Sequence, residues 1–188
     1  MGLLGMVRFC SSGSEEVVLH AAGVEFHKLF VGPHHVLCPP WGSVYLDGGR
    51  LFGPTSLEVA AFFEHQGFVI PEGRREPSDH VAYELSFVSE CDMRIAFGAA
   101  GGCGNANAGQ VEACDGSSGC DGAPDAGNDA VALAKECQAF VVRYLQPWFG
   151  DFAAMVRSED GTGFYAALVE LVGGLLELEC ALLSKIGG

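Results

Sequence analysis

Glu76-Pro77-Ser78-Asp79-His80-Val81-Ala82-Tyr83-Glu84-Leu85-Ser86-Phe87-Val88-Ser89-Glu90-Cys91 is the stretch on which the fold turns. Pro77 suits the first turn of a helix, where its missing N–H and fixed φ cost nothing. From there to about Ile95 the apolar residues recur at helical spacing in two sets. Val81, Leu85 and Val88 form one stripe; Tyr83, Phe87 and Cys91 form another. A surface helix needs one apolar stripe, so two stripes imply a central helix packed on more than one side.

Toward the N-terminus, Thr55 and Glu58 have the spacing of a capping box, and Gly67 supplies the left-handed residue that closes the helix between them. Glu15 and Glu16 favour the start of another helix through its dipole. Val18, Ala22, Phe26, Leu29 and Phe30 then recur at helical spacing until Gly32-Pro33. Residues 34–54, rich in Pro, Gly and aromatics, read as an ordered loop with Trp41 and Tyr45 packed at its edges. Within it, Val44 to Leu46 is the one place where a short pair of strand residues fits.

Toward the C-terminus, residues 98–128 lose all periodicity and fill with Gly, Ala, Ser, Asn and Asp, the composition of a flexible linker inside the domain. Asp129 can cap the next helix, in which Leu133, Cys137, Phe140, Val141 and Tyr144 share a face until Pro147 forces a bend. In the last helix Phe164, Leu168, Leu171, Val172, Leu175, Leu178 and Leu182 approximate a heptad seam. Gly173 and Gly174 inside it each cost about 1 kcal/mol relative to Ala, which suggests close helix packing there. The class is therefore all-α, a helical bundle forming one domain over residues 1–188.

Composition narrows the function. The chain of 188 residues carries 24 acidic and 10 basic side chains, a net charge of −14, which repels phosphate backbones and favours cationic partners over nucleic acid. Residues 164–183 are long and apolar enough to raise the question of a membrane span, but Glu170, Glu177 and Glu179 interrupt them, so no stable membrane insertion is expected. No cleavable signal precedes the eight cysteines, which are expected to be reduced thiols in the cytoplasm.

Three segments carry a family resemblance. The first is Lys28-Leu29-Phe30-Val31-Gly32-Pro33, followed by Pro39-Pro40-Trp41-Gly42-Ser43-Val44-Tyr45-Leu46-Asp47 and Leu51-Phe52-Gly53. The second is Glu76-Pro77-Ser78-Asp79-His80; the third is Leu145-Gln146-Pro147-Trp148 with Phe164-Tyr165-Ala166-Ala167-Leu168. Together they resemble the TorD/DmsD family of redox-enzyme maturation chaperones, nearest its DmsD branch. The chain departs from the family in two places. Only about 25 residues precede the Leu-Phe-Val-Gly-Pro stretch, so either the fold is trimmed or the start lies upstream, and the Gly-rich linker is longer than usual.

The resemblance implies a cytoplasmic chaperone without enzymatic activity or cofactor. Its partner would be the twin-arginine leader peptide of a molybdopterin oxidoreductase precursor, bound during cofactor insertion and folding and released for export. Such a leader joins an Arg-Arg pair to an apolar stretch, and its receptor needs carboxylates beside an aromatic groove. Glu76 and Asp79 are the candidate carboxylates; Phe26, Leu29, Phe30, Pro40, Trp41 and Tyr45 are the candidate groove. At 4 Å and an effective dielectric near 20, a charge pair is worth about 4 kcal/mol before desolvation. Pro77, Asp79 and His80 complete the expected peptide-binding surface, with His80 able to tune binding through partial protonation near neutral pH.

Two alternatives stand beside this one. A helical assembly chaperone of the related NarJ branch would bind a folded region of a nitrate-reductase-like subunit. A metal or thiol site would draw on Cys103, Cys114 and Cys120, whose spacing contains no C-x-x-C pair and no nearby His, so no metal is expected. Gly116-Ser117-Ser118-Gly119 is not a nucleophile elbow, and residues 98–104 lack the strand a dinucleotide loop requires.

Overall fold

The computed structural model describes residues 7–11, 13–32, 35–70, 73, 75–98 and 126–186. In chain order these form α1 (Glu15–Phe26), α2 (Gly42–Leu46), α3 (Pro54–Gln66), α4 (Val81–Gly98), α5 (Ala126–Phe140), α6 (Gln146–Glu159) and α7 (Phe164–Ile186). A π-turn at His27–Val31 extends α1, and another at Val141–Leu145 joins α5 to α6. Among the described residues there is no strand, only an isolated antiparallel bridge between Trp41 and His80. The fold is all-α, as the periodicity implies. Most of the linker read at 98–128, with its three cysteines, lies outside the described residues; Gly98 ends α4 and Ala126 opens α5, so helix extends into both of its ends.

The two stripes of α4 both turn inward. Tyr83, Phe87 and Cys91 are buried against α5, while Val81 and Leu85 are half-buried on a second side. Phe87 meets Phe62, Phe63, Phe68 and Phe140 with ring centroids 4.7 to 5.7 Å apart. A phenyl ring buried this fully contributes about 2–3 kcal/mol from desolvation alone. The predicted face of α5 is also inward, with Cys137, Phe140 and Val141 fully buried.

Several local expectations are corrected. Val44 to Leu46 is helical, because the Asp79 carboxylate accepts the Ser43 N–H and so satisfies a donor in the first turn of α2. No Thr55–Glu58 capping box forms: Pro54 opens α3, and Asp47 of the preceding loop accepts from Thr55 N at 2.9 Å and Thr55 Oγ1 at 3.0 Å. Glu58 instead pairs with Arg143 at 2.9 Å. Asp129 lies in the first turn of α5 rather than at its cap. At Pro147 the α-helix is interrupted: a π-turn, closed by Gln146 N–H to Val141 O, stands before it, and Pro147 lies in the first turn of α6.

The last helix is the largest correction. Of the expected seam Val172 faces inward, on a line with Val169, Leu176, Cys180 and Leu183, whereas Leu168, Leu171, Leu175, Leu178 and Leu182 are exposed. The two lines are neighbouring stripes of one apolar helix, and contact with α5 and α6 selects the first. Nor do Gly173 and Gly174 mark close packing. A Cβ on Gly174 would meet nothing within 4 Å, and one on Gly173 would stand at an ordinary 3.6 Å from Phe149.

Candidate functional site

The segment around Trp41 crosses the start of α4 and is stitched to it by backbone. Val81 N donates to Pro40 O at 2.8 Å and Gly42 N to Asp79 O at 3.0 Å, so Trp41 and His80 face each other as the isolated bridge. The Trp41 ring meets His80 edge-on at 6.0 Å, and its Nε1 donates to Glu76 Oε2 at 3.0 Å. His80 Nδ1 accepts the Ala82 N–H at 3.1 Å, a bond that only the unprotonated nitrogen can make. Burial also lowers the pKa of His80, against the opposing pull of Glu76 and Asp79. Burial and this bond both favour the neutral ring, against the expectation of partial protonation near neutral pH.

Behind the bridge lies a buried polar cluster. Asp79 has no exposed surface; Oδ2 accepts the Ser43 N–H, and Oδ1 has no partner. Glu84, one turn along α4, is equally buried, and both its oxygens, together with Ser43 Oγ and Trp148 Nε1, lack hydrogen bonds. Burial first, and the Asp79 charge second, raise the Glu84 pKa well above its ordinary range, which favours the protonated carboxyl. Trp148 Nε1 lies toward the Glu84 carboxyl, offset from hydrogen-bond geometry. Gly42 makes the indole's position possible: a Cβ there would fall 2.8 Å from Trp148 Nε1. Tyr45 stacks on the other side of the indole at 5.3 Å and donates its hydroxyl to Pro39 O at 2.9 Å.

In front of the bridge is an apolar groove of about 240 Å³. Phe26, Phe30 and Pro40 line one side, His80 with Val81 and Leu85 of α4 the floor, and Phe149, Phe152, Tyr165, Leu168 and Val172 of α6 and α7 the other side. Phe30 is the hinge of this aromatic set, 5.3 Å from Phe26, 5.4 Å from Tyr165 and 6.2 Å from Phe152. The α1 wall is held by polar bonds from Glu25, Lys28 and Ala22. Glu25 accepts from Lys28 Nζ at 2.8 Å and Gly161 N at 2.7 Å, Lys28 also donates to Glu159 O, and Tyr165 donates its hydroxyl to Ala22 O.

Of the residues singled out by sequence, Phe26, Phe30, Pro40 and His80 share the groove. Trp41 and Glu76 buttress His80 from behind, and Glu76 is the exposed carboxylate of the pair. Leu29 and Pro77 are buried, and Tyr45 packs on Trp148 rather than in the groove. Asp79 offers no carboxylate to a ligand in this conformation; it caps α2. Sequence reasoning missed the α6–α7 side, although the Phe164-Tyr165-Ala166-Ala167-Leu168 motif and the second stripe of α4 both pointed to it. Among the described residues, no three His, Cys, Asp or Glu side chains gather around a common point that could hold a metal, and no helix is long and apolar enough to cross a membrane.

A family model for the nitrate reductase delta subunit matches residues 3–154. Over 82 residues the chain is 38% identical to the Tat proofreading chaperone DmsD of Salmonella typhimurium, a match covering 38% of this chain and 40% of that protein. A Haemophilus influenzae protein named probable Tat proofreading chaperone DmsD is 36% identical over 62 residues, 32% of this chain and 30% of that one. Chaperone protein TorD of Shewanella loihica is similar over a longer span, 23% identical over 174 residues, 89% of this chain and 64% of that protein. The chain thus spans less than two thirds of the length of each of these relatives. It belongs to the TorD/DmsD family of redox-enzyme maturation chaperones.

Proposed function

We propose that the chain binds the twin-arginine leader of a molybdopterin oxidoreductase precursor, shields it while cofactor is inserted and the enzyme folds, and releases it for export. One observation carries this reading: an aromatic groove, open at the surface, takes Phe30, Pro40, His80, Tyr165 and Leu168 from the segments that carry the family resemblance. A helical or extended apolar run laid across Phe26, Phe30 and Leu168 would exchange water for ring surface, and burial of apolar area supplies most of such an affinity. The names of the DmsD relatives, Tat proofreading chaperones, point the same way.

A second reading has its own support. The delta-subunit description of the family model, together with the exposed leucines of α7, fits a chaperone that grips a folded region of a nitrate-reductase-like subunit.

Calorimetric titration with a synthetic twin-arginine leader tests the first reading. Phe26→Asp and Leu168→Asp place a carboxylate on the groove at side chains that are already partly exposed, so the fold survives. Each is expected to weaken binding by more than about tenfold, the cost of desolvating a charge against an apolar ligand. Native-like affinity in both variants would move the site away from this groove.

A further inference from the structure

The outer face of α7 carries an apolar line left bare among the described residues. Leu168, Leu171, Leu175, Leu178 and Leu182 are each 37 to 55% exposed, while the neighbouring line through Val169, Val172, Leu176, Cys180 and Leu183 faces α5 and α6. Two apolar stripes on one helix mean two packed sides, as in α4. The spacing of the outer line says more than its apolarity. Its steps of three and four residues repeat every seven, the a and d positions of a coiled-coil seam, a pattern that fits the surface of one other helix.

The seam also offers enough surface for a stable pair. Taking roughly 190 Å² for a fully exposed leucine, the five residues present about 450 Å² of apolar surface, and Ile186 at 43% exposure extends it at the end of the helix. A standard interface covers about 800 Å² per partner, of which about 65% is apolar in homodimers, or about 520 Å². The leucine line supplies most of that from a single helix.

We propose that two copies of this chain pair through α7, antiparallel, about a two-fold axis that passes between residues 176 and 177. In an antiparallel pair each a residue meets a d residue, so Leu175 stands opposite Leu178 of the second copy and Leu171 opposite its Leu182. The two-fold axis makes each contact twice, because the same patch serves on both copies. Antiparallel order also staggers the acidic residues. Glu170 lies about 20 Å along the axis from its counterpart and Glu179 about 8 Å, whereas a parallel pair sets each beside its twin. The pairing is independent of the leader-binding reading, and it occupies the leucines that the second reading leaves to a client. It also reaches the apolar groove: Leu168 belongs to both, and Lys185 of the second copy stands opposite it at the groove rim.

Sedimentation velocity of the full chain, from low micromolar to several hundred micromolar, reads the pairing; reductant is present because Cys10 is exposed. The native chain is expected to pass from monomer to dimer across that range. Leu175→Glu/Leu178→Glu puts four carboxylates at the centre of the pair and should weaken it by more than about tenfold. Its helical circular dichroism should stay native, since both leucines are exposed in the single chain. Leu175→Glu/Leu178→Lys brings opposite charges face to face in the antiparallel pair and should recover dimer relative to the first variant. A native chain that stays monomeric throughout overturns the pairing and leaves the leucines to a client. A dimer that survives in the first variant uses another surface and overturns it equally. A second variant as monomeric as the first overturns the antiparallel arrangement.

Discussion

Glu84→Gln should stabilise the protein at neutral pH, and the size of the effect follows from where Glu84 sits. Its carboxyl is fully buried beside Asp79, and neither oxygen has a hydrogen bond. Its folded pKa is raised well above the ordinary 4.5, so the folded state binds a proton that the unfolded chain releases above that value. A raised acid pKa makes stability greatest below pH 4.5 and lowers it by about 1.4 kcal/mol per pH unit as pH rises toward the folded value. Glutamine has nearly the same shape, carries no charge, and offers an N–H to Asp79 Oδ1. Urea unfolding followed by helical circular dichroism at pH 5, 6 and 7 reads the difference between the two proteins. The gain in the variant should be smallest at pH 5 and grow toward pH 7, by no more than the limiting slope of about 1.4 kcal/mol per pH unit. Glu179, raised to about 7 by burial and by its hydrogen bond with Asp92, titrates in the same range but is common to both proteins and cancels in the comparison. A variant no more stable than the native chain at pH 7, with an unchanged pH slope, would mean that Glu84 is ionised and partnered in the folded state, and the account of the buried cluster would be wrong.

Gly42→Ala puts a methyl group against the Trp148 indole, which is fully buried and unable to retreat, and should cost about 1–3 kcal/mol by overpacking, with a shift in tryptophan emission as the local report. Asp79→Ala should lower stability by about 1–3 kcal/mol, because the buried Ser43 N–H loses its acceptor; leader affinity measured well below the unfolding transition should change little, which a combined melting and binding series resolves.

What the sequence made legible and what it hid divide along a physical line. Helices whose apolar residues form a face bounded by polar ones, as in α5, were readable, because burial and periodicity agree there. The two stripes of α4 were readable for the same reason, and their consequence, a groove on one side and the core on the other, is visible in Leu85 and Phe87. In α7 nearly every position is apolar, so periodicity alone had no contrast with which to choose between the Leu168–Leu171–Leu175 line and the Val169–Val172–Leu176 line, and the expected seam took Val172 from the second. Contacts remote in sequence were equally hidden. Ser43 takes its acceptor from Asp79, and the start of α3 takes its own from Asp47 rather than from the Glu58 that local spacing suggested. The same effect reassigned Asp79 itself, which a motif alone marks as a ligand-facing carboxylate and the fold uses as a cap.

The two sides of the apolar groove are fastened very differently. The α4, α6 and α7 side is continuous with the aromatic core, so moving it means unpacking Phe152 and Val169. On the α1 side, Leu29 of the π-turn is buried and Phe30 packs on Phe152 and Tyr165, but in α1 itself Glu25 is the buried residue and the helix is tied down by the bonds of Glu25, Lys28 and Ala22. Local opening follows the least stable attachment. A guest held between the two sides would leave when α1 swings away, well before the bundle loosens. Its residence time would then be set by the attachment of a single helix rather than by the stability of the host, so a guest can be gripped and released many times by a host that never unfolds.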